Sequence, residues 1–342
     1  MTKRRILPYL VNLALLLAAV TLSLAIGSVV ISPSQLWQMV SGWLKGIPMP
    51  KELETFAFII SDIRLPRTVL MLLTGAALGG SGTAYQGLFR NPLADPYLIG
   101  VASGAGLGAV IAMSIHWPYS LWGMLAVPLS AFLAAMLTVL LVYSVARIGR
   151  VVPTTNLILS GVAFSAFATA LTSYLIISSQ GEVRRALAWL MGGSSQNNWL
   201  IILAILPYLV LGLGSLLISG HALNLLQFGD DQAQQLGLPV TRTKTVLLLA
   251  ASLSTAAAVA FSGIIGFIGL IVPHVMRIWW GADYRRLLPL SMLAGGGFLI
   301  LADILARTLM RPQDLPVGIV TALAGAPFFL WVLRRSKNQG YW

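Results

Sequence analysis

Cysteine is absent from the 342 residues, and charged residues are only 9% of them. The first absence excludes disulfides and thiol chemistry, although it fixes no compartment. The second excludes an ordinary soluble domain, in which about 25% of residues are charged. Histidine is scarce too. His116, His221 and His274 stand far apart, and no pair has metal-ligand spacing. No stretch matches the phosphate-cradling pattern G-x-x-x-x-G-K-[ST], so the chain binds no ATP by that route. Long polar tracts are also missing: the two longest, 32–65 and 220–243, are too short for a soluble domain.

In place of charge there is hydrocarbon. Hydrophobic residues are 57% of the chain. A helix needs roughly 20 apolar residues to cross a hydrocarbon core about 30 Å thick. Ten runs are candidates, at 7–31, 66–88, 98–116, 119–146, 154–178, 199–219, 244–262, 263–276, 287–309 and 316–333. The eighth is short, with Pro273 near its end, so nine is the alternative count. The expected fold class is an all-α polytopic membrane protein, one domain through 1–342. The first run follows Lys3, Arg4 and Arg5 but is too long for a signal h-region and lacks a small-residue cleavage site. It reads as a retained span.

A net charge of +12 invites a nucleic-acid reading. Orientation accounts for it better, because cytoplasmic loops of membrane proteins collect Lys and Arg. With the N-terminus inside, 14 of the 22 Lys and Arg fall at inside ends, among them Arg90, Arg147, Arg150, Arg242 and Lys244. The other eight, including Arg64, Arg67 and Arg307, fall outside. Both termini are then cytoplasmic. In the outer tract, a short interfacial helix is expected around 36–44, where Trp37 and Trp43 suit the headgroup region.

"RTVLMLL" (67–73) is echoed by "KTVLLLA" (244–250), in spans that run in opposite directions. Inverted repeats of about 64–180 and 241–335 would produce this, as in many transporters; a chance likeness is the other reading. Glycines stripe the second, third, eighth and ninth spans, a pattern that lets backbones approach. In the fifth span Ser160, Gly161, Ser165, Thr169 and Thr172 add polarity without charge, which suits a translocation pathway as well as packing.

"RNPLADPYLIG" (90–100) interrupts two apolar runs with two prolines. Each disfavours helix at the residue before it. Irregular backbone at membrane depth survives only inside protein or along a wet cavity. A non-helical crossing at the cytoplasmic end is expected, with Asn91 bonding freed backbone groups; a plain surface loop is the alternative. The inside tract 220–243 reads as two short helices broken at Gly229 and Gly237, with Asp230 capping the second. Leu223, Leu226, Phe228, Ala233 and Leu236 are expected to face the cytosol and to need a partner, or else lipid. In the ninth span Asp303 is a costly intramembrane carboxylate. Its expected partner is Arg307, four residues on.

Taken together, "GAALGGSGTAYQGLFRNPLADPYLIGVASGAGLGA" (75–109), "LILSGVA" (157–163), "WLMGG" (189–193), "LNLLQFGDDQAQQLGLPV" (223–240) and "SGIIGFIGLIVPHVMR" (262–277) closely resemble, in order and spacing, the FecCD-type permeases. These are membrane subunits of ABC importers for ferric siderophores, haem and cobalamin. The likeness covers nearly the whole chain. It implies the type II ABC importer permease fold, a homodimer with its pathway on the dimer axis, two copies of an ATP-binding subunit, and a periplasmic or lipid-anchored substrate-binding protein. It implies no cofactor and no catalysis by this chain, in a bacterial or archaeal plasma membrane. Asn91 and Leu93 would then belong to the cytoplasmic gate. Leu223, Leu226, Phe228, Gly229, Asp230, Ala233, Leu236 and Gly237 would lie in the loop that docks the ATPase. Arg64, Arg67 and Arg307 would pair with acidic residues of the binding protein, against the alternative of interfacial snorkelling. An iron chelate ranks first as cargo, then haem and cobalamin. Two rivals stand beside this. One is an ion-coupled secondary transporter; the other is an intramembrane serine protease using Ser81 and His274.

Overall fold

The computed structural model describes residues 3–337 apart from 28, 30, 47–49, 116, 119, 150, 180–182, 194–197 and 312. His116 and Arg150 therefore lie outside the described residues. In chain order the helices are α1 (Lys3–Ala25), α2 (Pro33–Lys45), α3 (Lys51–Phe58), α4 (Leu65–Phe89), α5 (Val101–Met113), α6 (Leu121–Ala146), α7 (Thr154–Ser178), α8 (Val183–Leu190), α9 (Trp199–Ile218), α10 (Gly220–Leu226), α11 (Asp230–Gln235), α12 (Val240–Ser262), α13 (Ile268–Trp280), α14 (Tyr284–Thr308) and α15 (Val317–Lys337). Among the described residues there is no strand; Ile148 and Val151 form an isolated bridge.

The ten apolar runs become α1, α4, α5, α6, α7, α9, α12, α13, α14 and α15. Of these, α1, α6, α7, α9, α12 and α14 are long and apolar enough to cross a membrane. The eighth run is a helix of its own. Gly263 (φ 80°) and Phe267 (φ 70°) break the chain between α12 and α13. At 1.5 Å per residue the 13 residues of α13, like the 13 of α5, reach about 20 Å, short of a full crossing. Each of these half-length helices follows a non-helical stretch, 90–100 before α5 and 263–267 before α13. Outside the bundle, Ser32 and Gln35 form a capping box that starts α2. Trp37 and Trp43 on it are exposed, as an interfacial helix requires.

At the centre stands α4, packed along α14 and flanked by α12, α13 and α9, while α5 packs on α6 and α7. Its glycines explain how. A methyl group at Gly75 would land on the carbonyl of Gly295, one at Gly79 on that of Ser291, and one at Gly82 on that of Gly269. The small-residue stripe is thus backbone against backbone. Gly82→Leu should lower the thermal midpoint of the detergent-solubilised protein, at the upper end of the about 1–3 kcal/mol typical of overpacking. Gly214→Leu should not, since nothing lies within 4 Å of its missing Cβ. Equal midpoints for the two variants would contradict the close crossing.

Candidate functional site

The last turn of α4 ends at Arg90, whose backbone is left-handed at φ 52°. From there the chain satisfies itself. The Asn91 N–H donates to the Gln86 carbonyl at 3.1 Å. The Asn91 side-chain oxygen accepts the Leu93 N–H at 2.9 Å, and the Asn91 carbonyl accepts the Ala94 N–H at 3.1 Å. Asp95 then caps the 3-10 turn Pro96–Ile99 through the Tyr97 N–H at 2.8 Å. Asn91 and Leu93 are both half-buried. Asn91 therefore does bond freed backbone groups, by an Asx turn.

Two residues that the sequence reading passed over hold this segment in place. The Tyr97 hydroxyl donates to the Ile265 carbonyl at 2.7 Å and accepts the Ile265 N–H at 3.3 Å. It ties the first non-helical stretch to the second. Gln86, fully buried, donates to the carbonyls of Gly269 and Leu270 and accepts from Arg277 at 2.9 Å. Gln86 stands out in the sequence only as an amide in a glycine-rich span.

Beside the same turn lies the hairpin α10–α11, split by Gly229 at φ 103° and closed by Gly237 at φ 87°. Here an expectation is corrected. Leu223, Leu226 and Ala233 do not face the cytosol; they are buried in the core of the helical bundle. The hairpin folds inward because Gly87 of α4 admits Leu223, and Gly220 sits against Arg285. Asn224 clamps α14 by donating to Asp283 at 2.7 Å and accepting the Tyr284 N–H at 2.9 Å. Burial is the largest single influence on the Asp283 carboxyl and raises it. The Asn224 and Arg285 hydrogen bonds and the nearby arginines outweigh it and hold the group below its usual range. The apolar tip that remains exposed is Phe228 with Leu236.

On the outer side the three arginines turn inward. Arg64 ends a π-helical turn, Ile59–Arg64. Its guanidinium donates to the carbonyls of Leu24 (2.5 Å), Ala25 (3.1 Å) and Val29. A cation there meets the negative end of α1. Arg67 bonds Asp303 at 2.9 Å and Asp314 at 2.6 Å. Arg307 approaches Asp303 at 2.9 Å and donates to Ser23 at 2.8 Å. Asp303 thus sits between two guanidiniums, and Arg67, distant in sequence, is the partner that hydrogen-bonds it. Arg64 and Arg307 are buried; Arg67 keeps an exposed edge.

The polar set on α7 divides. Gly161 packs under the Leu98 carbonyl, Thr172 is buried and bonds the Ala168 carbonyl, and Ser165 accepts from Ser103 at 3.1 Å. These three make contacts within their own chain. Ser160 is half-buried, and Thr169 lies on the open face with Val162, Phe167 and Tyr174. Ser81 is fully buried and donates to the Ala251 carbonyl at 3.1 Å. His274 lies edge-on to Phe328 instead. A hydroxyl packed in this way is not a nucleophile awaiting a base.

A half-length helix after a non-helical stretch, repeated twice and locked by Tyr97, is transporter architecture. The sequence matches the FecCD transport family over residues 15–335. The chain belongs to that family. This FecCD protein is 46% identical to the cobalamin import system permease protein of Halobacterium salinarum, over 82% of its own length and 74% of the relative's. It is 43% identical to the hemin transport system permease protein of Yersinia pestis, over 81% and 84%. Its structure is similar to that of an inward-facing metal-chelate type ABC transporter, with a TM-score of 0.80 at 34% identity over 95% and 97%. It is a multi-pass membrane protein with the fold of an ABC importer permease.

The burial of the outer network in this FecCD protein has a measurable consequence. Asp303→Asn leaves Arg307 without its carboxylate and Arg67 with Asp314 alone, and breaking a buried pair costs about 3–5 kcal/mol. The detergent-solubilised variant should melt well below wild type. Arg64→Lys should also destabilise, because one ammonium cannot reproduce the planar fork. Unchanged melting of both variants would return these residues to the protein surface.

Proposed function

We propose that this chain is the membrane subunit of an ATP-driven importer for a large metal chelate. It works with a second copy of itself, two ATP-binding subunits and a substrate-binding protein, in a bacterial or archaeal plasma membrane. One observation carries the reading. The hairpin α10–α11 is seated on the α4 turn that leads into Asn91 and Leu93, and it presents only Phe228 and Leu236 as an apolar tip. A moving partner that grips the tip would act on the gate segment next to it.

Three further features support it. The open, apolar face of α7, with Phe167, Tyr174 and Ile177 exposed, suits a second copy, with Ser160 and Thr169 near the shared axis. The pairs α4–α5 and α12–α13, each a long helix, a break and a half-length helix, support inverted repeats of about 64–180 and 241–335. Asp303 is neutralised by two arginines, which disfavours the ion-coupled alternative. For the binding protein, Arg67 offers the exposed edge, and Arg64 and Arg307 brace the scaffold behind it. The relatives' cargoes, cobalamin and hemin, are both large metal macrocycles. With the iron chelates they define the expected class.

The test is reconstitution with the partner ATPase and binding protein in vesicles. ATP-dependent accumulation of haem, cobalamin or a ferric siderophore is expected. Accumulation driven by a proton or sodium gradient without the ATPase would overturn the proposal. Phe228→Asp with Leu236→Asp should leave the protein folded but reduce ATPase copurification at least about ten-fold, the loss of about 1.4 kcal/mol. Leu223→Asp should instead prevent folding, because it buries a charge.

A further inference from the structure

The hairpin touches the last turn of α4 in two ways. One contact is made: the Gln227 amide donates to the Gly87 carbonyl at 3.0 Å. The other is open. Asp230, the first residue of α11, gives one carboxylate oxygen to Lys244 of α12 at 2.5 Å. Its other oxygen, Oδ1, is shielded from water and has no hydrogen bond. On the side of α4 the cation facing it is Arg90, with Nη2 at 4.0 Å. A charge-assisted hydrogen bond between such groups closes at about 2.7–2.9 Å. The gap is therefore roughly one ångström too wide, and a shielded acceptor without a donor favours closing it.

We infer that Arg90 and Asp230 are the transmission contact between the coupling hairpin and the gate. When the hairpin shifts towards α4, the guanidinium takes the free carboxylate oxygen and α11 becomes tied to the residue before Asn91. When it shifts back, the bond opens. Lys244 of α12 takes the other oxygen, which leaves Oδ1 for Arg90. Arg90 is held in a left-handed turn at φ 52°, a conformation costly for a non-glycine residue. It carries a side chain there that glycine, the residue preferred for such a turn, does not provide. Arg90 is a positioning residue: it touches no cargo and acts through Asn91 and Leu93. The inference rests on the reading of α10–α11 as the ATPase-docking hairpin.

The experiment uses the complete complex in vesicles and reads cargo moved per ATP hydrolysed. Arg90→Gly preserves the turn and removes the charge. It should lower that ratio about two- to five-fold, the range an exposed ion pair can carry, with ATPase copurification and hydrolysis rate at wild-type values. Arg90→Lys should restore most of the ratio. In an Asp230→Asn background, Arg90→Gly should add nothing further. A wild-type ratio for Arg90→Gly, or an equal loss with and without the Asp230 charge, would overturn the inference. Loss of the ATPase from Arg90→Gly alone would make Arg90 a docking residue and overturn it as well. Failure of the wild-type protein to retain the ATPase would sink the docking reading first, and this inference with it.

Discussion

One hydroxyl makes the architecture tenable. Where the backbone leaves the helix inside hydrocarbon, every N–H and C=O needs a partner within the protein. The two interruptions, 90–100 and 263–267, meet at Tyr97, which both donates to and accepts from the backbone of Ile265. The half-length helices α5 and α13 follow these two breaks. Close approach is the second part of the same constraint. Pro96 packs on Gly269, and Gly269 packs on Gly82, so the glycines on α4 and α13 are what bring the two breaks together.

From this centre the functional parts are arranged by adjacency. Gln86 bonds α13 on one side of the last turn of α4, and the hairpin α10–α11 bonds the other. Asn91 and Leu93, the proposed gate residues, follow at once, in a turn where the Asn91 side chain and carbonyl satisfy the next backbone groups. The hairpin, the end of α4 and the Asn91 turn are thus neighbours in space. On the far side, the Asp303 network binds α1, α4 and α14 together, so the outer ends of these helices are braced.

Much of this was legible in the sequence, for identifiable reasons. Apolar runs give spans because hydrocarbon thickness sets their length. Asn91-Pro92 and Asp95-Pro96 give the break because proline restricts the residue before it. Gly229 and Gly237 give the hairpin its two turns, both at positive φ. The likeness to FecCD permeases rested on those same punctuated stretches, and the family followed from it.

What only the tertiary structure decided is which way each side chain faces. A buried or membrane helix is apolar around its whole circumference, so helical periodicity carries little information about its partners. That is why the α7 set divides between two faces, whereas Leu223, Leu226 and Ala233, in a polar tract, looked exposed and are buried only because the hairpin folds onto α4 and α14. Arg307 has the Asp303 carboxylate expected four residues before it, but Arg64 and Arg67 looked like outer-surface cations because their acceptors, the end of α1 and the carboxylates Asp303 and Asp314, are brought to them from other parts of the chain. The chain's own order determined its spans, breaks and family. Long-range contact determined which charges are spent inside the fold and which remain free to meet a partner.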